Sequence, residues 1–105
     1  MAITRRLRAI QDLEEIVDYL TQHSPPAGLR FVDAVEVSLG RLEQFPLLGR
    51  ACRFRAPSLR DVRRRPVDGW KQHMIYYRPA ANGIEALRII HSARDAGAVF
   101  GETAD

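Results

Sequence analysis

The run Lys71-Gln72-His73-Met74-Ile75-Tyr76-Tyr77-Arg78, then Pro79-Ala80-Ala81-Asn82-Gly83, then Ile84-Glu85-Ala86-Leu87-Arg88-Ile89-Ile90-His91, decides the fold. Two apolar-rich stretches of eight residues flank five residues of turn chemistry, the pattern of an antiparallel hairpin. Strand alternation sends Trp70, Gln72, Met74 and Tyr76 to one side and His73, Ile75 and Tyr77 to the other. The second stretch is apolar on both sides, which predicts a central strand with both faces covered. Just upstream, Asp68-Gly69 is a hairpin-turn signal, and Leu59 to Val67 reads as the strand leading into it. Pro66 confines the end of that strand to an edge or a bulge. The C-terminal part is therefore expected to be a three-stranded antiparallel meander.

Toward the N-terminus the period changes. Residues 50–58 contain Pro57 and Ser58 and no helical stripe, so a surface loop is expected. Before it, Leu29, Val32, Val35, Leu39 and Leu42 recur at helical spacing, with Phe31 and Phe45 on the flanks, until Pro46 and Gly49 end the helix. An earlier helix runs from Leu7 to His23 on the stripe Leu7, Ile10, Leu13, Val17 and Leu20. Gln11, Asp12, Glu14, Glu15 and Asp18 fall mainly off that stripe, and the acids sit in the half of the helix where they complement its dipole. Ser24-Pro25-Pro26 separates the two helices, because proline cannot continue the first while Ser24 can cap the second. A short strand around Ile3 and a short helix from Arg94 to Phe100 complete the expectation. The predicted architecture is α+β, in the order β-α-α-β-β-β, with an αα-hairpin packed on a small antiparallel sheet and a short C-terminal helix. At 105 residues, positions 1–105 make one domain.

Charge is unevenly spread. Residues 1–49 carry five Arg against seven acids, whereas residues 50–105 carry eleven basic residues against six acids, so the net charge of +3 hides a basic second half. Lys71 is the one lysine among 16 basic residues; arginine favours planar, bidentate contacts to carboxylate or phosphate, although a codon bias toward Arg would give the same count. The single Cys52 excludes an intramolecular disulfide and a thiolate metal cluster. No stretch approaches the roughly 18 apolar residues of a membrane span, and Met1 to Arg6 lacks the apolar core of a secretory signal. A cytoplasmic protein with no membrane partner is expected. The three histidines show no metal-ligand spacing, so no metal and no cofactor is expected.

The densest chemical feature is Arg50, Arg53, Arg55, Arg60, Arg63, Arg64 and Arg65, opposed within that span by Asp61. On a strand, Arg63 and Arg65 share one face and Arg64 takes the other, so the patch cannot be wholly buried. It reads either as an anion-binding surface for nucleic acid or an acidic segment, or as a solvated edge that discourages sheet-to-sheet aggregation. His91 is the candidate acid or base by residue type, against a purely structural hydrogen-bonding role.

Several fragments resemble the ParE/RelE superfamily of bacterial type II toxin-antitoxin toxins, on its ParE side. Ala9-Ile10-Gln11-Asp12-Leu13-Glu14-Glu15-Ile16 with Tyr19-Leu20 is similar to the first helix, and Ser24-Pro25-Pro26-Ala27 with Arg30-Phe31 to the interhelical turn. Phe45-Pro46-Leu47-Leu48-Gly49-Arg50 is similar to the helix exit, and Ile75-Tyr76-Tyr77-Arg78 with Leu87-Arg88-Ile89-Ile90-His91-Ser92-Ala93-Arg94-Asp95 to the closing strands. The resemblance implies an antitoxin partner whose C-terminal segment wraps the toxin, and DNA gyrase as the target of a binding protein that is not an enzyme. Target or antitoxin contacts are then expected at Arg63, Arg64, Arg65, Trp70, Tyr76, Arg88, His91 and Arg94. The alternatives are a RelE-like endoribonuclease acting on ribosome-bound mRNA, with His91, Arg88 and Arg65 as its catalytic set, or a non-toxic basic binding module. RelE-like enzymes place a Tyr or His near the C-terminus, and here no Tyr follows Tyr77. One toxin-like fold accounts for nearly the whole chain, so operator binding is expected to come from the partner.

Overall fold

The computed structural model describes residues 2–101. β1 (Ala2–Arg5) leads into α1 (Leu7–His23) and α2 (Pro25–Gln44); β2 (Arg50–Ala51), β3 (Arg63–Val67), β4 (Trp70–Ala80) and β5 (Gly83–His91) follow, and one helical turn, α3 (Ala96–Val99), comes last. This is the expected α+β architecture. The five strands form one sheet ordered β1-β5-β4-β3-β2. β2 to β5 are antiparallel neighbours, and β1 adds a parallel edge, with Ala2 opposite Gly83 and Arg5 opposite Ala86. Parallel pairing needs a long crossover, which the helices and meander together supply. Gly83 permits the close approach: its φ is +150°, and a Cβ there would collide with the Ala2 backbone.

Several local expectations shift. Arg50 and Ala51, read as loop, pair with Arg64 and Arg63 as a two-residue edge strand. β3 starts at Arg63 rather than Leu59, because Pro57–Leu59 form a 3-10 turn and the Val62 N–H donates back to the Leu59 carbonyl at 3.2 Å. Ser24 occupies the cap position of α2 but its hydroxyl makes no cap bond; Pro25 and Pro26 have no N–H to offer, and the Ala27 N–H goes to the Ser24 carbonyl at 2.9 Å.

The sheet is covered on both faces, unequally. On one face Phe31, Val35, Leu39 and Leu42 of α2 pack on Ile75, Tyr77, Ile84 and Ile89, with Ala9 and, in part, Leu13, Ile16, Val17 and Leu20 of α1. The buried rows are offset from the expected stripes. In α1, Ala9 and Asp12 point inward while Leu7 and Ile10 are exposed, and in α2, Phe31 is core while Leu29 and Phe45 are exposed. On the other face Val62, Tyr76, Leu87 and Ile90 lie beneath Cys52, Phe54 and Leu59 of the β2–β3 loop and Ala96, Val99 and Phe100. Trp70, expected alongside Tyr76, packs instead on the helix-covered face, edge-on to Phe31 with centroids 5.1 Å apart. The pairing register slips between Pro66 and Val67, so strict alternation does not reach Trp70.

Candidate functional site

The helix-covered face contains a buried charge. β1 ends at Arg5, so beyond Ala86 the outer edge of β5 has no strand beside it. Asp12 of α1 takes over that role. One carboxylate oxygen accepts the Ile89 N–H at 3.0 Å and the Arg88 Nε–H at 2.7 Å, and the other accepts from the Arg88 guanidinium at 3.0 Å. A β-bulge sets this up: pairing passes from Tyr76 opposite Arg88 to Tyr77 opposite Ala86, leaving Leu87 as the extra residue. Asp12 is 3% and Arg88 12% exposed, so the pair is a charge-assisted, fork-shaped bond inside the fold. Arg88, expected to face a partner, is thereby engaged within the molecule.

A second internal link fixes the chain where α2 hands over to β2. The buried Tyr77 hydroxyl donates to the Pro46 carbonyl and accepts from the Gly49 N–H, both at 2.8 Å. A Cβ on Gly49 would overlap that hydroxyl, which is why glycine stands there. Burial pushes the Tyr77 phenol above its ordinary pKa, against the opposing pull of the Gly49 bond and of Arg63 and Arg65, so it stays protonated and able to donate.

The arginine cluster divides as strand alternation predicts. Arg63 turns to the helix-covered side and donates to the Gly49 carbonyl at 2.8 Å and the Leu47 carbonyl at 3.3 Å. Arg65 faces the same side, where it borders a groove beside α2. Arg64 faces the other side and joins Arg50 and Arg53 in lining an open cleft of about 610 Å³, together with Ala51, Cys52, Phe54, Tyr76 and Ala96. Among the described residues no acid lines this cleft and no carboxylate pairs with Arg50, Arg53 or Arg64. Arg78 braces the loop that forms its rim, reaching the Ser58 carbonyl at 2.6 Å and Asp61 at 3.3 Å. Tyr76 itself is buried, packed 5.4 Å from Phe100, so it supports the cleft from beneath. Burial pushes the Cys52 thiol above its ordinary pKa, more than Arg64 pulls it down, so at neutral pH it is a protonated wall residue and a poor nucleophile. Chemically, three arginines and two aromatic residues lining one open cleft suit the binding of oxyanions.

Trp70 and His91 belong to a separate cleft of about 650 Å³ with Glu15, Tyr19 and His73. His73 and His91 are cross-strand partners with rings 5.3 Å apart. The His91 Nδ1 accepts the Ala93 N–H at 3.0 Å, and no carboxylate among the described residues orients the ring as a general base requires. Arg94 is exposed just beyond, and Asp95 caps α3 by accepting the Ala98 N–H at 3.3 Å. The expected contact residues thus separate: Arg64 and Tyr76 in one cleft, Trp70 and His91 in another, Arg63 and Arg65 toward the helices, Arg88 inside. Arg50 and Arg53 join the site from the cluster, while the internal links made by Asp12 and by Tyr77 with Gly49 on the other face leave little trace in the sequence; an acid in the row Ala9, Asp12, Leu13, Ile16 is the one signal that marks Asp12. Among the described residues no three His, Cys, Asp or Glu side chains gather as a metal site would need, and no helix is long and apolar enough to cross a membrane.

A family model described as the ParE toxin of type II toxin-antitoxin system, parDE, matches residues 3–96. Among solved structures, a chain of the chromosomal ParDE TA system from P. aeruginosa aligns with a TM-score of 0.69 and 23% sequence identity, over 87% of this chain and 95% of that one. That identity speaks for the fold alone. No match to a curated protein was found.

Proposed function

The chain belongs to the ParE toxin family of type II toxin-antitoxin systems, and from that membership we propose that it inhibits DNA gyrase by binding and is held inactive by a cognate antitoxin. The family match over residues 3–96 carries this reading, and the Arg50, Arg53 and Arg64 cleft supplies a surface suited to it. A toxin of this kind performs no covalent step; it acts by binding one conformation of the target more tightly than the others. Reversing a target's preference from 1:99 to 99:1 takes about 5.5 kcal/mol of differential affinity. Three guanidinium groups meeting phosphate or carboxylate are a fitting source of it, since each charge-assisted bond contributes roughly 1.5–3 kcal/mol. Exposed His91 and Arg94, with half-buried Trp70, offer a secondary contact near the end of β5. The action is cytoplasmic in this reading.

A RelE-like nuclease would need Arg65, Arg88 and His91 around one phosphate. Arg65 borders α2, His91 lies by Trp70, and Arg88 is bonded to Asp12, so the trio has no common focus. Expression without the partner should therefore produce filamentation and DNA-damage signalling, and purified protein should trap cleaved DNA in a gyrase supercoiling assay. Undisturbed supercoiling with the protein in excess, or A-site cuts in primer extension on translated mRNA, would overturn the reading.

A further inference from the structure

The two-residue strand β2 sets like charges face to face. Arg50 lies directly opposite Arg64 in the antiparallel register, so both side chains leave the sheet on one side and enter the cleft that Arg53 and Phe54 also line. Residues so opposed stand about 5 Å apart at Cβ, where like charges work against strand pairing. Among the described residues no carboxylate relieves them. The fold therefore gathers cations here and leaves their counter-charge to come from elsewhere. The other side of the molecule has an acidic stretch: Glu14, Glu15 and Asp18 lie together along α1, which packs on the helix-covered face of the sheet. An approaching anion is drawn toward the cleft and turned away from that part of α1.

We propose that this cleft grips the phosphodiester backbone of DNA, so that the chain holds the nucleic acid of its target complex as well as the protein. The setting rests on the gyrase reading above; the ligand class is what is added to it. A strand of duplex DNA carries one negative charge for about every 3.4 Å of helix axis, without a gap. An acidic peptide segment instead sends neighbouring carboxylates to different sides of its backbone. Three arginines lining one cleft match the continuous pattern better than the alternating one. Each guanidinium is a planar fork of donors that fits two phosphate oxygens at once, which the nearly lysine-free basic half of the chain supplies repeatedly. Phe54, half-buried beside them, adds an aromatic ring for a sugar or an unstacked base. Contacts of this kind position a backbone and carry no sequence information, so binding is independent of base sequence.

The test uses the full chain without a tag and a short, fluorescently labelled DNA duplex of mixed sequence, with binding read by anisotropy. With three phosphates engaged, affinity should fall roughly fortyfold between about 50 and 200 mM salt. Arg64→Gln should weaken binding several-fold at the lower salt and reduce the salt slope by about one. Arg30→Gln, which removes the same charge from an exposed position on α2, should bind like wild type. Equal losses in Arg30→Gln and Arg64→Gln would reduce the effect to net charge and overturn the proposal. Tighter binding of an RNA duplex of the same sequence, or of a polyglutamate of equal charge, would overturn it as well. Gyrase inhibition by a chain that binds no DNA overturns this inference and leaves the target reading standing. DNA binding with the stated salt and variant pattern, beside undisturbed supercoiling, does the reverse.

Discussion

The two faces of the sheet are built from the same strands and are covered very differently. Two helices of 17 and 20 residues seal one face; a loop and a single helical turn cover the other. Where the cover is thick, a charge can persist only when fully bonded, and Asp12 with Arg88 meets that condition. Where it is thin, Arg50, Arg53 and Arg64 border an open cleft, and no carboxylate among the described residues pairs with them. The same residue type, in one sheet, is thus bonded inside the fold on one side and borders an open cleft on the other. Burial and pairing decide which, and composition does not.

The contrast breaks most sharply at Asp12. Asp12→Ala strands a mostly buried Arg88 and leaves the Ile89 N–H unpaired, which should cost about 3–5 kcal/mol and lower the melting temperature by on the order of 15 °C. Asp12→Asn, able to keep the Ile89 bond, should lose less. Thermal or urea unfolding of the purified chain measures both. If Asp12→Ala melts like wild type, the pair is not holding the bare edge of β5.

Tyr77→Phe tests the same face at a smaller scale. It removes a hydroxyl that satisfies both Pro46 and Gly49, and an unfilled buried pair costs about 1–3 kcal/mol. Gly49→Ala should add to that loss by pushing the ring aside. A double variant less damaged than the sum of the two singles would show that both act on one link.

Element types and order were readable because the helical stripes and the alternating strands carry strong periods. The lapses have physical causes. Leu7, Ile10 and Leu29 obey helical spacing yet face solvent, because the helix rotates to bring Asp12, Ala9 and Phe31 inward; periodicity records an apolar side without saying which row meets the sheet. β1's parallel pairing depends on residues some 80 positions away, which no local window contains. The arginine cluster was visible as a run, and alternation separated Arg64 from its neighbours. Its meeting with Arg50 required the two-residue β2, too short to leave a periodic trace. Arg88 looked like a surface residue because its partner lies 76 residues earlier.

His73 gives a pH probe of the helix-covered face. Burial, and next the neighbouring His91, hold its pKa below the ordinary histidine value. The unfolded chain therefore takes up a proton at a higher pH than the folded one, so this contribution to stability is complete above the ordinary histidine pKa and is lost as pH falls toward the folded value. Unfolding midpoints measured from pH 7.5 to 5.5 should fall, and His73→Gln should flatten the slope. Glu36, lowered by its bond to Arg5, acts in the same direction at more acidic pH, where protonating it removes a half-exposed pair.

The smallest effect on stability belongs to Arg64, and it sharpens the comparison most. Among the described residues Arg64 pairs with no acid and adjoins Arg50 and Arg53, so Arg64→Gln removes like-charge repulsion and should change stability by no more than about 0.5 kcal/mol, toward greater stability. Under the proposed function, the same substitution should weaken gyrase inhibition about tenfold or more, each guanidinium contributing as a charge-assisted bond. Surface charge selected for solubility alone would lose nothing measurable on either scale. A residue whose removal stabilises the fold while weakening activity is retained for binding, because selection for stability by itself would have replaced it. Equal inhibition by Arg64→Gln and wild type would return the cleft to the reading of a solvated sheet edge whose charges discourage sheet-to-sheet aggregation.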